Sequence, residues 1–346
     1  MKKEIYFPYP FSGFCALNFN NCFSSIYMYL EQIQGNDDYF CQAHEGKGCN
    51  GCGNCNQTLA KKQEDFLFLF GTMAGDTALR NSFEGQTDMQ QAIYNTDEQV
   101  DFTMKFTGYL YKKVTDDFQK AVIEAINQDK PLLARMKDAD RGSFRVISGY
   151  DKDAIICPNP SNAQRRPDQM PTYEDIEYLY VITGKAEPEY NLLDGLYRIK
   201  RAMEYNRDEK FWDQYIHKFN YWDEHLADVD FEEIKRRFKR VTDTMWYTFN
   251  CHNFAETFRH KIWEGMNDER LKHAFDEIDR AYDLTHTRAW QIIGINDCRD
   301  WGSRRYNELE WGLCATIMMI IESIKQNDID VLAAISEAIA VLEIDK

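Results

Sequence analysis

Ser143-Phe144-Arg145-Val146-Ile147-Ser148-Gly149-Tyr150-Asp151, followed after two residues by Ala154-Ile155-Ile156-Cys157-Pro158-Asn159-Pro160, decides the fold. The first run is rich in aromatic and β-branched residues and stops at Gly149-Tyr150-Asp151. The second stops at Pro158-Asn159-Pro160, and the spacing between them fits a β-hairpin. Upstream, residues 116–128 read as an amphipathic helix, and Lys130-Pro131 leads into Leu132-Leu133-Ala134-Arg135-Met136, another strand. Downstream, Tyr178-Leu179-Tyr180-Val181-Ile182 is a fourth. Strands of this kind with intervening helices predict an antiparallel sheet with helices packed on it, an α+β domain over residues 1–185.

Nearer the N-terminus, residues 21–34 predict a helix with Phe23, Ile26, Tyr27, Leu30 and Ile33 on one face, closed by Gly35. The apolar run at 66–70 reads as either a buried strand or a short helix, because periodicity alone does not separate them. After Gly184 the composition changes. Residues 185–189 (Lys-Ala-Glu-Pro-Glu) have the makeup of a linker, and residues 186–346 are almost free of proline with repeated 3.6-residue periodicity, which predicts a helical bundle.

With 346 residues, 44% hydrophobic and 14% aromatic, the chain buries a real core, and its length suggests two domains. No apolar run reaches the ~20 residues that span a bilayer, and the start of the chain has no signal-peptide apolar core, so a cytoplasmic protein without membrane partners is expected. A formal charge of -16 repels phosphate backbones, which argues against a nucleic-acid partner. The basic residues Lys235, Arg236, Arg237, Lys239 and Arg240 read as a solvated helix face.

Four of the ten cysteines cluster. Cys41, His44, Cys49, Cys52 and Cys55 put five soft or borderline donors into fifteen residues, with Gly46, Gly48, Gly51 and Gly53 between them. Two-residue spacers let neighbouring thiolates reach one ion, and glycines allow the sharp turns. Zinc is the expected metal, held by four of the five in a closed structural shell. The spacing Cys49-x2-Cys52-Gly53-x-Cys55 also resembles the cluster-binding stretch of bacterial-type ferredoxins, which implies a 4Fe-4S cluster and a redox protein as an alternative. No C-x3-C-P continuation follows Cys55.

The layout of Cys22 near the start of the first helix, then Lys130–Ala134, then 143–151 and 155–160, resembles the papain-like cysteine peptidases. The closer likeness is to bacteriocin-processing peptidases and the butirosin biosynthesis protein H N-terminal family, over residues 10–183. The resemblance implies a papain-like α+β domain, with Cys22 in the nucleophile's place and Asn159 in that of the residue orienting the base. Ser143 stands where the family has its histidine. A cysteine-dependent mechanism without that base loses the roughly 10²–10⁴-fold that proton transfer contributes. Cys22 therefore also reads as a small core residue.

The expectation that follows is a metal-braced, catalytically degenerate papain-like protein. It binds a peptide or small metabolite in an inter-domain cleft through residues such as Ser143, Arg145 and His252. The alternative is a cysteine-dependent acyl- or peptidyl-transferase or hydrolase, with a carrier protein as partner. His252 and Glu256, four apart on one helix face, read as core residues or as a ligand pair.

Overall fold

The computed structural model describes residues 2–9, 18–33, 57–75, 80, 82–85, 97–137, 144–158, 171–220, 229–248, 268–297 and 310–344. The chain is mixed α+β, with two antiparallel sheets among the described residues, and it packs as two units. Unit 1 comprises Met1–Phe70 and Tyr94–Tyr190, and unit 2 comprises Gly71–Ile93 and Asn191–Lys346.

In unit 1, β3 (Leu132–Met136) and β4 (Phe144–Ile147) pair with each other, and β3 pairs on its other side with β7 (Ile176–Lys185). β2 (Tyr109–Val114) completes a four-stranded sheet in the order β2-β7-β3-β4. The chain then passes through Ser148 into a second sheet of β1 (Lys2–Glu4), β5 (Gly149–Asp151) and β6 (Ala154–Ile156), in the order β1-β5-β6. Gly149 is where the crossing happens. A Cβ there would lie 2.6 Å from the Lys3 carbonyl oxygen and 2.9 Å from Glu4 Cα, so only glycine lets β1 approach. The expected hairpin is the β5–β6 pair, with Asp151 opposite Ala154 and Lys152 in the left-handed region at φ 53°.

The four-stranded sheet is buried on both faces. Phe144, Val146, Leu133, Tyr180 and Ile182 face one core with α1 (Asn18–Leu30), α2 (Gln57–Met73) and α3 (Asp97–Thr107). Leu132, Ala134, Met136, Ile147 and Leu179 face the other with α4 (Phe118–Asn127). Successive strand residues point to opposite faces, so this alternation follows from the pleat. Ile176 joins the α4 face because β7 pairs Tyr178 with Arg135 and Ile176 with Met136, leaving Glu177 as an extra residue.

Two local expectations change. The first helix begins at Asn18, four residues earlier than Cys22, because Phe19 opens the buried stripe: its ring stacks on Phe23 at 5.8 Å and meets Phe144 edge-on at 5.3 Å. The run at 66–70 is helical, inside α2, where Phe66 and Phe70 contact Tyr27 at 4.8 and 5.1 Å. Periodicity was ambiguous there, and packing against α1 settles it.

Every described element of unit 2 from Leu192 onward is helical: α5 (Leu192–Asp208), α6 (Phe211–Phe219), α7 (Phe231–Thr248), α8 (Glu269–Asp297) and α9 (Glu310–Glu343). Asn191 starts α5 with a capping box, accepting from Leu193 N at 2.9 Å while Asp194 accepts from Asn191 N at 2.8 Å. A stripe of isoleucines on α9, Ile317, Ile321 and Ile324, packs with Phe238, Val241, Tyr215 and Ile293. Among the described residues, no helix is long and apolar enough to cross a membrane.

The segment around Phe83 is docked into this unit by side chains. Phe83 lies in the bundle core, Gln214 accepts from its backbone N–H at 3.1 Å, and Arg240 donates to the Phe83 and Ser82 carbonyls at 2.9 and 2.8 Å. The basic run of α7 is therefore only partly a solvated face. Arg236 and Lys239 pair with Glu233 and Asp243 at the surface, but Arg237 is buried and donates to the Lys218 carbonyl at 2.9 Å.

Candidate functional site

Cys22 sits on the second turn of α1, facing the sheet. Its side chain is 5% exposed, and Sγ donates to the Phe144 carbonyl at 3.4 Å. Burial pushes the thiol up to about 12; the positive charge of Arg145 and the Val146 backbone hydrogen bond pull the other way, and Cys157 adds to the rise. A thiol in this state is protonated at neutral pH, whereas a nucleophile needs thiolate. The helix start at Asn18 supplies the physical reason: the free N–H groups of a helix belong to its first turn, and Cys22 lies beyond it.

Even so, two elements meet at Cys22: α1 carries it, and β4 accepts its hydrogen bond through Phe144, next to Arg145. Arg145 is close enough for its positive charge to favour the thiolate. Ser143, Asn159 and His252 lie outside the described residues, as do all five proposed metal ligands, Cys41, His44, Cys49, Cys52 and Cys55. Among the described residues there is no group of three or more His, Cys, Asp or Glu able to hold a metal.

Next to Cys22 the helix pair α1/α2 buries a neutral polar network. Gln63 Nε2 donates to Asn21 Oδ1 at 2.8 Å, to Ser24 Oγ at 2.7 Å and to the Asn21 carbonyl at 3.2 Å, and Ser24 and Ser25 hydroxyls turn back to that same carbonyl. These bonds, with the Phe23–Phe70 and Tyr27–Phe66 contacts, clamp the two helices that flank the Cys/His loop.

A second cluster escaped the sequence reading. Lys113 on β2 lies opposite Tyr180 on β7, and its ammonium stands 4.0 Å over the Tyr178 ring while donating to both Asp97 oxygens at 2.8 and 2.7 Å. Tyr180 donates to the same carboxylate. Burial pushes Asp97 up, but the bonds from Lys113 and Tyr180 outweigh it and hold the group below the usual carboxylate range. The alternating tyrosines of Tyr178-Leu179-Tyr180 were the available signal, and only strand pairing supplies their partners.

Unit 1 also has a concavity of about 590 Å³ walled by Tyr6, Tyr9, Tyr29, Ile33 and Leu59, with Gln32 and Asp129 as polar edges. Phe7 stacks on Tyr29 at 5.5 Å beside it. No family model, curated protein or solved structure matches this chain. The site is therefore read from its own chemistry.

Proposed function

We propose that the chain is a metal-braced binding protein built on a papain-like α+β frame that no longer carries thiol catalysis, and that it takes a peptide or a small metabolite. One observation carries this reading: the thiol of Cys22, in the nucleophile's place, is buried, protonated and bonded to the Phe144 carbonyl. The serine at 143 agrees with it, since a hydroxyl there does not act as the base that a thiol mechanism needs. The packing of α1 on β4 at Cys22 supports a papain-like frame, and the tyrosine-walled concavity supports binding.

The Cys/His loop joins α1 to α2, and its donor set suits a closed tetrahedral zinc, since four of its five ligands complete the shell. Bound there, zinc supplies order to a glycine-rich segment with little apolar content of its own. The chain's own contribution is the Gln63–Asn21–Ser24 network, which fixes the two helices at the loop's ends.

Iodoacetamide labelling against pH, read by mass spectrometry of the Cys22 peptide, tests the retired-thiol reading. Cys22 is expected to react far more slowly than a free thiol from pH 6 to 9, and fast reaction near neutrality would restore the acyl- or peptidyl-transferase alternative. Metal analysis of anaerobically purified protein is expected to give about one zinc per chain and no visible absorbance. Iron with a brown colour would replace the brace by a cluster.

A further inference from the structure

We propose that the helical unit holds a separate pocket for a small monocarboxylate whose apolar body is about the size of one aromatic ring. The pocket lies where the end of α5 and the start of α6 meet the middle of α9, and it measures about 190 Å³. An engineered apolar cavity of roughly 150 Å³ holds benzene, which sets the size of the body it takes. Met203, Phe211, Ile329 and Leu332 supply apolar walls.

The charge at its mouth selects the head group. Arg207, Lys210 and Lys325 line it, against Asp213 and Asp328. Asp328 is already committed: it accepts from Arg80 Nε at 3.1 Å, Arg80 Nη2 at 2.8 Å and Trp212 Nε1 at 2.7 Å. Asp213 pairs with Lys325 at 2.6 Å, and Asp208 with Arg207 at 2.9 Å. The Lys210 ammonium makes no hydrogen bond or ion pair among the described residues, so one positive charge is left at an apolar opening of a protein whose formal charge is -16. Lys210 also precedes α6 without a side-chain cap, at φ 54°, so the first N–H groups of that helix add to the positive potential. A carboxylate answers this charge. A cation meets no uncommitted acid on the walls, and a polyhydroxylated ligand would leave its hydroxyls against Phe211 and Leu332 without partners.

The proposal concerns unit 2 alone and does not depend on the reading of Cys22. It is tested on the full chain by calorimetry and ligand-observed NMR, with 3-phenylpropionate, 3-phenylpropionamide and phenethylamine as probes. The acid is expected to bind, the neutral amide at least about 10-fold more weakly because it forgoes the charge-assisted bond, and the amine not at all. Ile329 is 44% exposed, so Ile329→Trp fills the pocket from its rim and is expected to abolish binding with the unfolding midpoint unchanged. Lys210→Ala, on the surface, is expected to weaken the acid roughly 3–10-fold and to flatten its salt dependence. Equal affinity for acid and amide, binding that survives both substitutions, or no binding of any probe at millimolar concentration overturns the proposal.

Discussion

Unit 1 buries its polar side chains neutral, while unit 2 buries charges. Around Cys22 the enclosed groups are Asn20, Asn21, Ser24, Ser25 and Gln63, whereas both buried arginines among the described residues, Arg80 and Arg237, lie in the helical unit. A neutral amide or hydroxyl needs only a neutral partner, and α1 with α2 supplies it within two helices. A guanidinium out of water needs a carboxylate in good geometry, and the one that meets Arg80 comes from Asp328, 248 residues away. The first arrangement is forgiving. The second fixes one position of the chain, because a displaced Arg80 leaves a charge unpaired.

The largest effect that should separate them is at Asp328. Asp328→Ala removes the carboxylate that meets the Arg80 guanidinium, which is 2% exposed, and is expected to cost about 3–5 kcal/mol in urea denaturation. Replacing both members by leucine is expected to recover most of that loss, because the penalty is the lone charge rather than the missing bond. If Asp328→Ala is nearly neutral, the charged half of the contrast fails.

Cys22→Ala in unit 1 should cost much less, about 1 kcal/mol, since it removes a small apolar volume and one weak S–H bond. Loss of several kcal/mol there would mean that the thiol organises the sheet core more than its contacts imply.

The smallest effect sharpens the charge argument by pH. The hydrogen bond from Arg236, with Arg237 adding to it against partial burial, holds Glu233 down to about 2. A depressed carboxylate contributes stability above its ordinary value near 4.5 and loses it as pH falls through about 2. Arg236, which makes the largest contribution, is half exposed and Glu233 is partly open, so the stabilisation is on the scale of an exposed pair, ~0.2–1 kcal/mol. Urea midpoints of wild type and Glu233→Gln should converge between pH 4.5 and 2, and a constant gap over that range would show that Glu233 does not titrate as described.

The strands were the most readable part of this chain. Leu132–Met136, Phe144–Ile147 and Ala154–Ile156 carry their signal in β-branched and aromatic residues between turn formers, a local property. α1 starts three residues before the expected 21: Asn18 and Asn20 are poor helix formers, and only the contact of Phe19 with Phe144 brings them into the helix. Much the same holds for the candidate site. Sequence pointed to Cys22 and Arg145, but not to Gln63, Asp97 or Lys113, whose roles depend on partners 42, 83 and 16 residues away.

By itself, then, the sequence determined the antiparallel strands of the first half and the helices described in the second, because each is written in local spacing. The tertiary structure alone decided that Cys22 is a protonated core thiol, that Phe83 belongs to the bundle core and that Lys210 stands over an apolar pocket. Protonation, burial and charge balance are set by which distant groups surround a side chain, and no periodicity along the chain encodes that.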